Sequence, residues 1–381
     1  MDTRTFSTRT ERRSKANPRV EGMHVIGLDM GYSGAKGFYE NGNFCFPNFC
    51  RKITGELFGE LNRNEFVYED LDTGEKYYVG DIATKSLKAD SVVTEDNLYG
   101  RNHYLHAEFL VIARTALAFA LWEIPETDGS NIFLQTGLPP KYLSTDEPYL
   151  RNALQREHHF AVSSGSERKE FHFELKAENI DVMYQPMGTY YSVVFDNDGK
   201  MTPIVREYMN SNLLVFDGGF GTLDKFMICE KQVDTKDTNA DLGMRRVLDE
   251  TRKLIKSDLG VDISIPAMQA CLQTGKVKKM DMINMKVDEY PIEGYLEKAN
   301  ALVREEAFED IKSYVFDIRY LIMTGGTGAA WYSYFKERLS GMSSLSVIQG
   351  NQGSGLPSIY SNARGYYMYR LGCLRSSRTG K

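Results

Sequence analysis

Residues 24–38 read HVIGLDMGYSGAKGF, and residues 213–226 read LLVFDGGFGTLDKF. Both stretches begin as an apolar strand, reach an aspartate, turn through small, hydroxyl or aromatic residues, and continue as a second apolar segment. Asp29 corresponds to Asp217, and Gly31 corresponds to Gly219. A lone Asp-x-Gly is typical of an ordinary hairpin turn, but its repetition with matched flanks indicates a duplicated site.

The two turns have the composition of a divided phosphate site. Glycine lets backbone N–H groups point into a turn without obstruction by a side chain, and a concave set of N–H groups binds an anion. The aspartate at each strand end supplies a hard oxygen ligand of the kind that Mg²⁺ prefers. We therefore expect two such turns, facing each other, to hold a triphosphate and its metal from both sides.

Length and composition limit the classes of protein that fit this chain. Its 381 residues favour about two domains. The hydrophobic share of 42% and the charged share of 26% are ordinary for a water-soluble globular protein. The net charge of −6 argues against a protein that coats DNA by neutralising phosphates, so we expect no direct sequence-specific DNA binding.

The cysteines and the apolar segments favour a cytoplasmic protein without a membrane span. The five cysteines are scattered along the chain, as is usual in a reducing cytoplasm. The longest apolar stretch, residues 109–124, contains Arg114 and Glu123 and is short for a span of about 20 residues. Residues 1–22 lack the apolar core of a secretory signal, so we expect a disordered arm or a leader there.

Strand and helix signals alternate along both halves of the chain, which predicts an α/β fold with an internal duplication. Asn41-Gly42 predicts a hairpin directly after the first turn. The predicted helices cover residues 108–123, 149–159, 242–259 and 295–313. Because open α/β sheets bind ligands beyond the carboxyl ends of their strands, both Asp-x-Gly turns lie where a ligand is expected.

A third glycine cluster, Thr324-Gly325-Gly326-Thr327-Gly328, follows a predicted strand at residues 320–323 and precedes a helix predicted to begin near Ala329. As structure alone it is a tight strand-to-helix turn; as part of a site it lets a base or ribose approach the backbone closely. No segment has the spacing of a P-loop, and no glycine run completes the dinucleotide fingerprint. Because two predicted phosphate turns call for a nucleoside contact as well, we favour the interpretation of residues 324–328 as part of a site.

The order of these motifs resembles the ATPase superfamily of actin, the heat-shock chaperones and the sugar kinases. A first phosphate turn, a second phosphate turn, an adenosine turn and a closing hinge follow one another at residues 29–36, 217–224, 325–328 and 363–367. Within the superfamily, the opening GLDMGYSGAK, the strand end Thr136-Gly137-Leu138-Pro139-Pro140 and the hinge Asn362-Ala363-Arg364-Gly365-Tyr366 most resemble the bacterial plasmid-segregation actins of the ParM type.

The resemblance implies an actin-like α/β fold with two duplicated domains that flank a nucleotide cleft. Domain I would comprise residues 23–208 and 361–381, with a small insertion subdomain at about 51–98, and domain II residues 209–360. The implied activity is that of an ATPase that assembles with ATP into dynamic filaments and disassembles after hydrolysis. Such filaments would segregate plasmid DNA through a DNA-bound adaptor protein.

The resemblance also assigns roles to individual residues. Asp29 and Asp217 would hold Mg²⁺ through water. The ATP or ADP phosphates would be contacted by Gly31, Tyr32, Ser33 and Lys36 from the first turn and by Gly218, Gly219, Phe220, Gly221 and Thr222 from the second. Gly325, Gly326 and Thr327 would contact the adenosine. Arg252 and Lys253 are candidates for ribose and base contacts, although charges at helical spacing are more often a solvated face.

In this superfamily a Gln or Glu just before the second phosphate turn activates the attacking water, and Gln185 occupies that place. A neutral amide would orient the water, while positioning and electrostatic stabilisation supply the rest of the catalysis. The alternative for Gln185 is an ordinary polar residue at a helix start, with Pro186 at the first helical position. The alternative function is a small-molecule kinase of the same superfold, which would need a carboxylate base aimed at the acceptor hydroxyl.

Overall fold

The architecture was obtained as a computed structural model, which describes residues 8–56, 59–85 and 101–379. The strands of these residues are β1 Glu11–Ser14, β2 His24–Met30, β3 Gly34–Tyr39, β4 Gly42–Pro47, β5 Cys50–Lys52, β6 Phe66–Asp70, β7 Lys76–Val79, β8 Ile132–Leu138, β9 Glu157–Ser164, β10 Glu167–Glu174, β11 Ile180–Tyr184, β12 Leu213–Gly218, β13 Leu223–Cys229, β14 Gln232–Asn239, β15 Lys276–Asp281, β16 Lys286–Pro291, β17 Tyr320–Thr324 and β18 Ser346–Gln349.

The helices alternate with these strands. They are α1 Asp81–Lys85, α2 Ala107–Leu121, α3 Leu143–Leu154, α4 Gln185–Val194, α5 Ile204–Met209, α6 Met244–Leu259, α7 Ile265–Thr274, α8 Glu293–Ile311, α9 Gly325–Arg338 and α10 Ser361–Thr379. Short 3₁₀ turns lie at Arg101–Leu105, Ala177–Asn179 and Ser358–Tyr360. No helix in the described ranges is both long enough and apolar enough to cross a bilayer.

Two large sheets repeat the same strand order. The first runs β4-β3-β2-β8-β11 and the second runs β14-β13-β12-β17-β18, in each case a three-stranded antiparallel meander followed by two parallel strands. The predicted α/β fold with an internal duplication is therefore confirmed. A smaller sheet, β10-β9-β6-β7-β5, and the hairpin β15-β16 are additions to this repeated unit.

Three apolar cores hold these layers together. The first lies where α2 packs between the first large sheet and the small sheet, and nearly every side chain of α2 is buried there. The second lies under α6, α8 and α9 on the second large sheet. The third joins the two halves, because Phe38, Phe226 and Tyr367 from both sheets and α10 belong to it. The two halves of the fold thus share one hydrophobic core.

Several sequence predictions differ from the structure. Residues 8–22 are not a disordered arm in their described part, because β1 satisfies the open edge of β4 with a ladder from Glu11 to Ser14. The helix predicted at residues 149–159 ends at Leu154, since the chain then enters the buried strand β9. The helix predicted from Ala329 begins at Gly325.

The insertion subdomain predicted at about residues 51–98 is larger than expected. Strand β9 pairs with β6 and β10 pairs with β9, so residues 157–174 complete the small sheet. Residues 86–98 of the predicted subdomain lie outside the described residues. We retain as a proposal the division into domain I, residues 23–208 and 361–381, and domain II, residues 209–360.

Helices α4 and α10 cross with their backbones in contact. A Cβ atom added to Gly365 would lie 1.6 Å from the carbonyl oxygen of Gly188, and one added to Gly188 would lie 2.8 Å from the Cα of Asn362. Since backbone atoms cannot move aside as a flexible side chain does, any residue larger than glycine would separate the two helices. This crossing places the start of α4 and the start of α10 side by side.

We expect Gly365→Ala to lower the free energy of unfolding by about 3 kcal/mol, because the new methyl group overpacks a rigid backbone contact. The matched control is Gly372→Ala on the same helix, where the added Cβ would lie 3.6 Å from Phe195 Cζ, an ordinary contact distance. That control should be neutral or stabilised by up to about 1 kcal/mol through helix propensity. Urea denaturation checks both, and equal midpoints for the two variants would contradict the close crossing.

Candidate functional site

A cavity of about 480 Å³ lies between the two large sheets. The first turn contributes Gly31, Tyr32, Ser33 and Lys36 to its lining, and the second contributes Gly219, Phe220, Gly221 and Thr222. The glycines Gly325 and Gly326, with Thr327, line it from the start of α9. The turns that the sequence singled out from three separate places in the chain therefore meet around one space.

The two Asp-x-Gly turns have equivalent positions in their sheets. Asp29 is the cross-strand partner of Lys36, and Asp217 is the cross-strand partner of Asp224. Directly opposed residues of an antiparallel pair point to the same face of the sheet. Each half therefore presents a pair of charged side chains on one face, with Lys36 replaced by a carboxylate in the second half.

Backbone carbonyls of both turns accept hydrogen bonds from residues outside the turns. Asn48 Nδ2 donates to the carbonyl of Gly31 at 2.9 Å. In the second turn, Gly219 accepts from the Thr327 hydroxyl at 2.7 Å, and Phe220 accepts from the Arg245 amide at 2.8 Å. These contacts fix the orientation of both turns before any ligand binds.

The turns also touch each other across the cleft. A Cβ atom on Gly221 would lie 2.5 Å from Tyr32 Cδ2, so only glycine admits the Tyr32 ring at this point. Gly325 has φ +76°, and a Cβ there would lie 2.3 Å from the Gly218 carbonyl oxygen and 2.6 Å from Asp217 Oδ1. The adenosine turn and the second phosphate turn are therefore packed backbone to backbone.

Three carboxyl groups are buried here: Asp29 and Asp217, which line the cavity, and Asp224, the cross-strand partner of Asp217. Burial raises the pKa of Asp29, although Lys36 Nζ lies 3.6 Å from its Oδ2 and acts in the opposite direction. Burial also raises the pKa of Asp217 to about 6, with a further contribution from the charge of Asp29. The pKa of Asp224 is raised by burial and then by the charge of Asp217. The site thus concentrates negative charge where water is scarce.

Asp217 is tied to the hinge by a chain of hydrogen bonds. Asn362 Nδ2 donates to Asp217 Oδ2 at 2.7 Å, and the Thr189 hydroxyl donates to Asn362 Oδ1 at 2.7 Å. The hydroxyl oxygens of Thr189 and Thr324 lie 3.0 Å apart. These four residues come from α4, α10 and the ends of β12 and β17, so both halves of the fold meet at the carboxylate of Asp217.

Gln185 stands at the start of α4, directly after β11, and lines the cavity. Its Nε2 donates to Asp29 Oδ1 at 3.2 Å, and its carbonyl accepts from the Tyr366 hydroxyl at 3.3 Å. The side-chain amide is thus held beside the first aspartate.

Most of the predicted site residues come together, and three do not line the cavity. Gly218 is buried in β12 behind the second turn, where it packs against Gly328. Arg252 and Lys253 lie on α6 and form ion pairs with Asp249, and Lys253 also pairs with Glu250. Their prediction as ribose and base contacts is corrected, because helical spacing places these charges among carboxylates of their own helix.

Sequence reasoning missed several cavity residues. Asn362 was quoted only as part of a hinge, and Asp224 only as part of a repeat, although both act on Asp217. Five further parts of the lining carried no motif: residues 8, 9 and 11, Cys45, residues 103 and 104, Met244, and residues 357–359. A search of the hinge for a side-chain amide would have found Asn362; nothing in the sequence marks the other contacts.

The donors at the base of the cavity fit a hydrated divalent cation bound together with phosphates. Mg²⁺ is commonly held by one or two carboxylates plus water and substrate oxygens, and Asp29 and Asp217 supply two. Asp224 Oδ1 is buried and has no hydrogen-bond partner among the described residues, and the charges of Asp217 and Asp29 raise the pKa of Asp224. A cation would relieve both. No cluster of three or more His, Cys, Asp or Glu suited to a metal is found in the described part of the chain.

Comparison with known proteins gives one family match and several similar folds. Residues 27–188 match the family model of the actin-like proteins' N-terminal domain. No curated protein sequence matches the chain.

Solved structures extend the likeness to at least 91% of the chain. A 15-stranded ParM filament from Clostridium botulinum is 17% identical, with a TM-score of 0.69 over 91% of this chain and 98% of that one. An archaeal actin homologue is 17% identical, with a TM-score of 0.61 over 93% and 100%. Bacillus thuringiensis ParM with AMPPNP is 17% identical, with a TM-score of 0.60 over 93% and 100%. The predicted actin-like fold is confirmed.

Burial of Asp217 predicts a measurable pH dependence of stability without metal or nucleotide. A carboxyl whose pKa rises on folding destabilises the native state once the pH exceeds the pKa of the unfolded chain, so for Asp217 the penalty grows from about pH 4 and is complete above about pH 6. Asp217→Asn should therefore raise the free energy of unfolding by about 3 kcal/mol at pH 7.5, and by about half of that at pH 5.

Urea denaturation at the two pH values measures this gain. The control is Asp262→Asn, since Asp262 is an exposed carboxyl whose pKa is lowered by its hydrogen bond to Lys256, and its removal should stabilise at neither pH. An Asp217→Asn variant no more stable than the parent at pH 7.5 would rule out the buried-charge account.

Proposed function

We propose that this chain, which has the actin-like fold and carries an actin-like N-terminal domain at residues 27–188, is an ATPase that assembles into ATP-dependent filaments. The observation that carries the proposal is that the two turns and Gln185 line the same cavity and contact one another around it. Two duplicated Asp-x-Gly turns face each other, Tyr32 of one packs on Gly221 of the other, and Gln185 is held against Asp29.

Each turn is proposed to hold one side of the ATP phosphates. Lys36 offers positive charge from the first turn, and the glycines of both turns admit phosphate oxygens close to the backbone. Asp29 and Asp217 would bind Mg²⁺ through water. When bound, the metal neutralises charge on the phosphoryl group during its transfer. Gly325, Gly326 and Thr327 would face the adenosine.

Gln185 is proposed to orient the water that attacks the terminal phosphate. Its side-chain amide donates to Asp29 and its backbone carbonyl accepts from the Tyr366 hydroxyl, so little reorganisation would be needed. An amide has no proton affinity comparable to a carboxylate, and its contribution would come from position. The Thr189–Asn362–Asp217 hydrogen bonds already join the two halves of the fold. Because both turns would also hold the terminal phosphate, its loss would loosen the contact between the two halves.

Assembly is supported by the likeness to a ParM filament and by one exposed apolar surface. The tip of the β15-β16 hairpin presents Met282, Ile283 and Met285 with exposed fractions of 75%, 92% and 82%. Clustered apolar side chains of this exposure mark interaction sites more often than free surface. We propose that the hairpin contacts a second copy of this chain in the filament.

The finer biological role follows from the same likeness. We propose that the filaments segregate plasmid DNA and contact it through a DNA-bound adaptor, since the net charge of −6 does not favour direct binding to DNA. All five cysteines are free thiols, which supports a cytoplasmic location.

Purified protein at tens of micromolar should form a sedimentable polymer with Mg-ATP and not with Mg-ADP, as followed by light scattering and pelleting. Ile283→Lys should raise the critical concentration about tenfold, because a charge at the proposed contact costs about 1.4 kcal/mol or more. Met201→Lys, at an exposed methionine outside the hairpin, is the matched control. ATP consumption without polymer, stimulated by a small hydroxyl acceptor, would favour the kinase alternative.

Gln185→Ala should slow phosphate release by about 100-fold while leaving ATP-dependent assembly intact, because it removes the water-orienting amide and none of the phosphate contacts. Phosphate release and light scattering measured in the same reaction separate the two effects. Gln352→Ala, at an exposed residue outside the cavity, controls for loss of a glutamine. Hydrolysis at the parent rate in Gln185→Ala would remove this residue from the mechanism.

A further inference from the structure

The segment before β2 is built into the first large sheet at its described residues. Strand β1 pairs with β4 from Glu11 to Ser14. Beyond β1, Asn17 Nδ2 donates to the carbonyl of Tyr39 at 2.7 Å, and Pro18 accepts from the Tyr367 hydroxyl. At the other end, the Thr10 amide donates to Asp81 Oδ2 at 2.8 Å. The segment is therefore anchored on both sides of β1.

Strand β1 extends one row of cavity residues across the sheet. Asp29 is opposite Lys36, Lys36 is opposite Cys45, and Cys45 is opposite Glu11. Residues in direct cross-strand register share a face of the sheet, and all four line the cavity. The row that begins with the first Asp-x-Gly aspartate thus ends on a strand that no recognised motif includes.

Arg9 lies two residues before Glu11 and also lines the cavity. Its neighbour Thr8 sits on the first turn: the Thr8 hydroxyl donates to Ser33 Oγ at 3.2 Å, and a Cβ on Gly34 would lie 2.7 Å from Thr8 Cγ2. These contacts hold the backbone of Arg9 beside the turn proposed to bind phosphates.

Arg9 is one of two basic residues that line the cavity, and the other, Lys36, lies close to Asp29. Among the described lining residues, only Arg9 and Lys36 carry a permanent positive charge. Lys36 is engaged by Asp29, with 3.6 Å between Nζ and Oδ2, and Glu11 is paired with Arg13 at 3.0 Å. Arg9 is exposed to the cavity and forms no ion pair with a residue of the described ranges. A planar guanidinium is well matched to two phosphate oxygens.

We propose that Arg9 is an additional phosphate ligand, which the β1 segment delivers to the outer phosphates of the bound nucleotide. This inference rests on the proposed function, because it requires that the cavity bind a nucleoside polyphosphate. It adds a contact from outside the two Asp-x-Gly turns. It also links the segment that carries Arg9 to the nucleotide state, since the guanidinium forms no ion pair within the described ranges and the outer phosphates would supply a partner.

The test compares the affinities of Mg-ATP and AMP for the full chain and three variants, by calorimetry at concentrations below those that raise light scattering. Arg9→Ala should weaken ATP binding about tenfold or more and leave AMP binding within about twofold, because AMP lacks the outer phosphates. Arg9→Lys should recover part of the loss. Arg13→Ala is the matched control, since Arg13 lies on β1 and does not line the cavity.

The possible outcomes separate this inference from the proposed function. A parent protein that binds ATP while Arg9→Ala binds it within twofold overturns the role of Arg9 and leaves the proposed function standing. Equal losses of ATP and AMP affinity in Arg9→Ala also overturn it, because they indicate a disturbed fold of the segment. A parent protein that binds neither nucleotide overturns the proposed function, and the inference with it.

Discussion

The backbone contact between Gly188 on α4 and Gly365 on α10 is the constraint on which the site depends. Because the two helices cross without intervening side chains, their first residues lie side by side at the base of the cleft. Gln185 at the start of α4 reaches Asp29, and Asn362 near the start of α10 reaches Asp217. One helix crossing thus positions the partners of both duplicated aspartates, and a wider crossing would separate them.

The buried carboxyl groups of the cavity lower the stability of the fold. Burial of the ionised carboxylates of Asp29, Asp217 and Asp224 within one small volume is unfavourable, as their raised pKa values indicate. The same burial strengthens any interaction with a cation, because water does not screen it. The cost is tolerated because the three apolar cores, including the one shared by both halves, hold the surrounding sheets in place.

Local sequence patterns predicted some elements of the fold and not others. The two turns, the hairpin at Asn41-Gly42, the helix after residue 107 and the strand before Gly325 follow from local patterns, and the structure has them. The helix predicted at residues 149–159 ends at Leu154, because the residues from Glu157 onward form β9, where strand pairing overrides helix propensity. Strand β1 was missed because four exposed polar residues carry no strand pattern; only the open edge of β4 makes them a strand.

The amino-acid pattern alone was enough to predict the duplicated α/β architecture and the positions of the two Asp-x-Gly turns, since glycine, aspartate and strand periodicity act locally and leave a direct signature. It could not reveal that Asn362 and Thr189 hold Asp217, that Arg252 and Lys253 pair within their own helix, or that Arg9 enters the cleft. Those facts depend on residues far apart in the chain, whose distances are decided only when both sheets and the α4–α10 crossing are packed together.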